Sequence, residues 1–210
     1  HRIRATKNLP LHLVKKGDLG GWIEKKENLQ GDAWVKDNAK VYGNAVVFGN
    51  ALIFENAKVC ERSKVLENAK VYGHATIEGE AVISGEPRIS GNAFILGKSR
   101  VRGCPFISDA VCIKGNSVVF ARAHLEGKAD LYGDAYIASD DDFCVFSKFG
   151  SVNRDTTFFK TLSRKVFVTC GCFKGTIEDF VKRVKETHGN NKFAEEYLAM
   201  VELVKIKFNL

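Results

Sequence analysis

The chain has no run of about 18 apolar residues, so it carries no candidate membrane-spanning helix. Its basic opening, HRIRATKNLPLHLVKKGDLGGW, lacks the apolar stretch of about 7–15 residues that a secretory leader needs. The first residue is not Met, which leaves a leader removed upstream open. There is no low-complexity tail. The six cysteines, Cys60, Cys104, Cys112, Cys144, Cys170 and Cys172, lack the spacing of a secreted disulfide scaffold, and 210 residues bury a core without staples. Reduced thiols in a cytosol are the expectation. A one-sided charge stripe is missing as well. The net charge of +7 divides into +4 over residues 1–30 (seven Lys/Arg, three acids), +1 over 31–139 (thirteen, twelve) and +2 over 140–210 (twelve, ten). A nucleic-acid binder concentrates its cations, so this near-balance in the middle argues against one.

What the chain does have is a period of six. From Ala33, steps of six give Ala39, Ala45, Ala51, Ala57, Ser63, Ala69, Ala75, Ala81, Pro87, Ala93, Ser99, Pro105, Val111, Ser117, Ala123, Ala129 and Ala135. Two places after each stands Val, Ile or Leu, from Val35 to Ile137, without exception in eighteen hexads. The register reaches back to Ile23 and Leu29. Residues two apart share one face of a strand, and the Gly-Asn pairs that follow have turn chemistry. Each hexad is therefore a short strand and a corner, and three hexads close a triangular coil. Eighteen hexads predict six coils, a prism about 29 Å long at the usual strand spacing. Val41, Val59 and Ile77 should stack inside. Asn38, Asn56, His74 and Asn92 should form one corner column, with His74 a rung of an amide ladder.

The fold expected is mainly β: a parallel triangular β-helix over residues 33–139, an N-terminal cap over 1–32 in which KKGDLGGW makes a tight turn, and a small α+β module over 140–210. In the module, FCVFSKFG, TTFFKTL and KVFVTC alternate like strands. Thr176 with Asp179 caps a helix that buries Ile177, Phe180, Val181 and Val184 and stops at Gly189. A second helix starts at Asn190 or Asn191 and buries Phe193, Tyr197, Leu198, Val201 and Val204.

The Ala-x-Val/Ile hexads resemble the hexapeptide-repeat, or isoleucine-patch, left-handed β-helices of acyltransferases and γ-type carbonic anhydrases. Here Gly follows the aliphatic by two positions rather than one, as in VYGNA. Together with VKKGDLGGWIEKKENL and CGCFKGTIEDF…KETHGNNKFAEEYL, the chain resembles acetyltransferase-like repeat proteins of bacteria and their phages. That resemblance implies a left-handed coil, a bacterial or phage-infected cytoplasm, and as partner a host protein or a small nucleotide. It brings no established activity. Right-handed six-residue solenoids of the bactofilin kind remain an alternative, as does end-to-end polymerisation.

The family's enzymes, by the same resemblance, use a catalytic His and a loop interrupting the coils. Residues 33–138 hold register with no insertion, and only His74 and His124 lie in the repeats. No residue is assigned a catalytic role, and two isolated His do not make an anhydrase metal site. A non-catalytic scaffold or binding protein is the leading expectation, with acyl-CoA-dependent acyl transfer as the alternative and no cofactor or metal assigned. Trp34, Val46, Phe48, Leu52 and Phe54 occupy outward positions and suggest either a homodimer or homotrimer contact or cover by another part of the chain. The chemically suggestive cluster is in the module. Cys170 and Cys172 precede a helix N-terminus, with His188 at that helix's far end, open to readings as a Cys–His pair, a metal site short of a fourth ligand, or packing. Ser151, Asn153, Arg154 and Thr156 on one loop could join them to capture a phosphate or carboxylate.

Overall fold

The computed structural model describes all 210 residues. Strands β3 to β20 are the eighteen hexads, each two residues long, from Trp34–Val35 to Tyr136–Ile137. They stack in parallel, every third strand pairing, as three sheets of a solenoid of about six coils. Register is strict: Val41 pairs with Val59, Val59 with Ile77, and Ile77 with Ile95. All eighteen aliphatics have at most 1% of their surface exposed, and the Ala column fills the space beside them. Where Ser replaces Ala, the hydroxyl finds a carbonyl: Ser63 donates to Cys60 O at 2.7 Å and Ser117 to Lys114 O at 2.6 Å. A buried hydroxyl without such an acceptor would be costly.

The corners carry a device the repeat alone does not announce. The fourth residue after each small one takes positive φ, which Gly accepts freely, in every hexad but the last, where Ser139 is extended. Six corners use another residue, and five of those are Asp37, Glu55, Glu61, Glu67 and Asp109, at φ between +54° and +61°. Their carboxylates accept from a backbone N–H one coil on: Glu55 from Gly73 at 2.8 Å, Glu61 from Gly79 at 2.8 Å, Glu67 from Gly85 at 2.6 Å, and Asp109 from Gly127 at 3.0 Å. The bond offsets part of the roughly 1–2 kcal/mol left-handed penalty. The amide ladder is shorter than its column. Asn38 donates to Asn56 at 3.5 Å and Asn50 to Asn68 at 3.1 Å, while the His74 imidazole makes no rung.

Both ends are closed. β1 (Arg2–Arg4) pairs antiparallel with β2 (Leu19–Ile23), and β2 extends one solenoid sheet through Ile23 to Val41. The turn in KKGDLGGW is at Gly17, with φ +97°. Gly20 and Gly21 lie instead within β2, pressed on the first coil: a Cβ on Gly20 would sit 2.5 Å from Val35 O. Residues 5–14 form a hook whose Ala5, Leu9 and Val14 bury Trp34 to 4% exposure, with Leu52 at its margin. Trp34 is thus covered by its own chain and is not a surface residue. Of the remaining outward apolars, Leu52 lies at the hook's margin, Phe54 stacks on Tyr72 at 4.7 Å, and Phe48 stays exposed at a corner.

At the other end comes the module: β21 (Phe143–Phe149), β22 (Arg154–Lys160), β23 (Val166–Cys170) and β24 (Phe173–Thr176) form an antiparallel sheet, followed by α1 (Ile177–His188) and α2 (Lys192–Phe208). Alternation in β22 points Phe158 at the helices and Phe159 into the solenoid core, which it plugs. Asp130 N donates to Thr157 Oγ1 at 3.0 Å and Thr169 Oγ1 donates to Asp130 O at 2.6 Å, which stitches the sheet to the last coil. The module's sheet lies against the last coil, whereas at the N-terminal end β1 is the outer strand of one solenoid sheet and the hook covers Trp34 on another. The helix caps fall where the sequence places them: Thr176 with Asp179 for α1, Gly189 behind it, and Asn191 for α2.

Candidate functional site

A concavity of about 470 Å³ opens between the β21–β22 turn, the β23–β24 turn, α1 and α2. It brings together Ser151, Arg154, Cys170, Cys172 and His188; Asn153 and Thr156 are not on its wall. Asn153 serves the turn, at φ +51°. Thr156 is fully buried in β22, behind the pocket, where its hydroxyl donates to Cys170 Sγ at 3.1 Å.

Two glycines let the walls close. At Gly150 (φ +74°) a Cβ would lie 1.9 Å from Tyr197 Oη, and the Gly150 N–H donates to Glu196 at 2.7 Å, so the turn is pinned to α2. At Gly171 (φ +59°) a Cβ would lie 2.0 Å from Arg154 Nη1, so the guanidinium rests on the bare backbone of the β23–β24 turn. That turn corrects one expectation. Cys170 ends β23 and Cys172 stands in a two-residue turn, with the whole of β24 between them and α1. Neither thiol sits at the helix N-terminus, so the helix dipole does not act on them at short range.

His188 closes the pocket without joining the thiols. Its ring stacks on Tyr197 at 5.7 Å and tilts toward Phe193 at 6.0 Å. No hydrogen bond links it to Cys170 or Cys172, and no group of three metal-donor side chains converges there. Burial pushes the Tyr197 hydroxyl up to about 12, with the neighbouring Cys170 adding to the shift. Tyr197 therefore keeps its proton at neutral pH and acts as a donor.

The electrostatic balance is one-sided. Arg154, Lys174 and Arg183 line the pocket with His188, and no carboxylate does. Arg154 and Lys174 make no ion pair; Lys174 Nζ lies 3.7 Å over the Tyr132 ring of the last coil, and Arg183 meets Glu186 only at 4.0 Å. Ser151 and Thr187 add hydroxyls, and Phe173 and Val152 apolar surface. Lys174, Arg183, Thr187 and Tyr197 are absent from the sequence expectation. For Arg183 and Thr187 the signal was the helical spacing of Phe180, Arg183, Val184, Thr187 and His188 along one side of α1, whereas Tyr197 was read only as core of the second helix. Elsewhere, burial raises the thiols of Cys60, Cys112 and Cys144, the last to about 11, so these sulfurs stay protonated.

No protein-family profile matches the chain, and no curated protein matches it either.

Proposed function

We propose that this chain is a non-catalytic binding protein: a β-solenoid scaffold whose C-terminal module captures a small phosphate-bearing, nucleotide-like ligand. The observation that carries this is the module pocket, where Arg154 and Arg183 share a wall with no carboxylate on it, the Lys174 ammonium lying on the far side of the sheet over Tyr132. Two guanidinium groups in one concavity, Arg154 with no ion pair and Arg183 meeting Glu186 only at 4.0 Å, favour an anion, and guanidinium groups suit phosphate through paired N–H donors. The volume lies in the range of small-molecule sites, and Phe173, Val152 and His188 offer apolar surface for a planar group. Against acyl transfer stand the uninterrupted coils and the two solenoid histidines. His124 is an exposed side chain paired with Glu126 at 3.6 Å, and neither it nor His74 lines a pocket named above.

Calorimetric titration with nucleoside mono-, di- and triphosphates tests the reading. Binding is expected for at least one, weakened tenfold or more by Arg154→Ala and by Arg183→Ala, with unfolding temperature in the absence of ligand little changed. Binding of acetyl-CoA that disappears in His74→Ala would overturn it in favour of the acyltransferase.

A further inference from the structure

The solenoid's near-neutral charge hides a segregation. Of the eighteen outward strand positions, Lys40, Lys58, Lys64, Lys70, Arg88 and Arg100 are cations and only Asp130 is an acid. The acids sit at corners, where several are engaged by backbone N–H groups. Register then stacks like charges directly: Lys70 pairs with Arg88 on one face, as Lys40 does with Lys58 on another. Like charges in neighbouring strands repel, and none of these four cations has an ion-pair partner among the chain's salt bridges.

At one of the two pairs the fold builds a chamber. The N-terminal hook overhangs Lys70 and Arg88 and encloses about 330 Å³, with Leu11 and His12 above, Leu52 below and the Asn50–Asn68 amide ladder along one side. The hook is fixed there: Lys7 pairs with Asp32, and the His12 Nε2–H donates to Asp32 O at 3.0 Å. We propose that this chamber is a second binding site, independent of the module pocket, for a small dianion of the phosphate-monoester class held between Lys70, Arg88 and His12.

Such a ligand answers each feature of the chamber. Its charge relieves the Lys70–Arg88 repulsion, Leu11 and Leu52 face its carbon portion, and the Asn50 and Asn68 amides, each already donating one N–H along the column, offer it only the other. The recess beneath the overhang, about 330 Å³, is the size of a small ester. The charged groups facing His12 are Lys70, Arg88 and Glu86 from the solenoid, with Asp32 behind the ring. Glu86 accepts from the Asn68 amide at 3.4 Å but keeps its charge, so the site sets Lys70 and Arg88 against one acid and His12 protonation adds to the cationic side. Burial first, and the Lys70 charge besides, hold the His12 imidazole below its ordinary value. With Nε2–H on Asp32 O, the second proton enters at Nδ1, and a bound anion favours that proton. Binding is then linked to proton uptake and tightens as pH falls toward and below the ordinary histidine value, because the free-protein imidazole is held low and the anion raises it.

The test uses the full chain carrying Arg154→Ala and Arg183→Ala, so that the module pocket is silenced, with inorganic phosphate, glycerol 3-phosphate and sulfate as probes. Phosphate and glycerol 3-phosphate are expected to bind and to move the His12 ring resonances. Sulfate, whose charge is constant over this range, is expected to bind more tightly at lower pH. Lys70→Met with Arg88→Met should weaken binding at least tenfold and leave the ligand-free unfolding temperature equal or higher, because a repulsion is removed. Unmoved His12 resonances would sink the proposal, and so would binding that survives the double substitution.

Discussion

The solenoid and the C-terminal module solve the same problem in opposite ways. In the solenoid each coil touches only its neighbours, the core is one aliphatic and one small residue per hexad, and no buried polar side chain is needed beyond an occasional Ser. In the module the core is aromatic and non-repeating: Phe158, Phe180 and Tyr197 meet edge to face at 5.6–5.9 Å, and the wall of the pocket is assembled from four separate segments. A structure built by repetition gives stable, similar faces. One built from unlike segments gives a concavity with a chosen set of side chains. The chain places its best-built pocket in the second kind and uses the first to hold it.

The sharpest way to break that contrast is at the seam, where two adjacent residues belong to different cores. Phe159→Ala removes the plug of the solenoid's last coil, and Phe158→Ala empties the centre of the module. Each should cost about 3–5 kcal/mol. The expected difference lies in where. Hydrogen exchange should show Phe158→Ala loosening β22, β23 and both helices while the coils around Ile77 stay protected. Phe159→Ala should expose the coils nearest Ile137 as well. Equal loosening of all coils by both substitutions would mean that the two regions fold as one unit.

A second contrast lies within the solenoid. Gly85 and Gly127 hold the same corner position at φ +87° and +73°, yet a Cβ at Gly85 would sit 2.4 Å from Gly103 O, whereas nothing lies within 4 Å at Gly127. Gly85→Ala carries both the left-handed penalty and a backbone clash, about 3 kcal/mol together. Gly127→Ala carries the first alone, about 1 kcal/mol. Denaturant unfolding of the two variants measures the stacking constraint directly, and equal losses would show that the neighbouring coil imposes none.

Legibility from sequence follows the same division. The interior columns, the coil count and the helix caps were readable because each depends on residues a fixed distance apart: Val41, Val59 and Ile77 by eighteen, Thr176 and Asp179 by three. The pocket was half readable. Ser151, Arg154, Cys170, Cys172 and His188 were named from local chemistry and do share a wall, but Lys174 and Arg183 reach it only because β24 folds back on β23 before α1 begins. That hairpin, signalled by nothing stronger than one Gly, also moved the thiols away from the helix end. Trp34 was left open between a subunit contact and cover by the chain itself, for a related reason. Its outward position in the hexad is real, but residues 5–14 carry no period that would reveal where they fold. The charge segregation was hidden by counting acids without asking which of them the corner amides engage.

The smallest expected effect tests the joint between the two regions. Asp142 sits between the last coil and β21; its carboxylate accepts from Ala138 N at 2.8 Å, Ser139 N at 3.0 Å and Lys160 Nζ at 2.9 Å. Burial opposes its charge, but Lys160 and the two amides outweigh burial and hold the carboxyl below its ordinary value. A folded-state value below the unfolded one adds stability above the ordinary carboxylate range, about pH 4, and that stability is lost as pH falls through the folded-state value. Asp142→Asn keeps the shape, loses the charge, and should cost about 1–2 kcal/mol at neutral pH. The gap between variant and parent unfolding temperatures should close on acidification, because the parent carboxyl then becomes neutral too. A gap that persists at a pH low enough for the parent carboxyl to be protonated in the folded state would assign the loss to amide geometry rather than to charge, and would leave Lys160 a spectator at the joint.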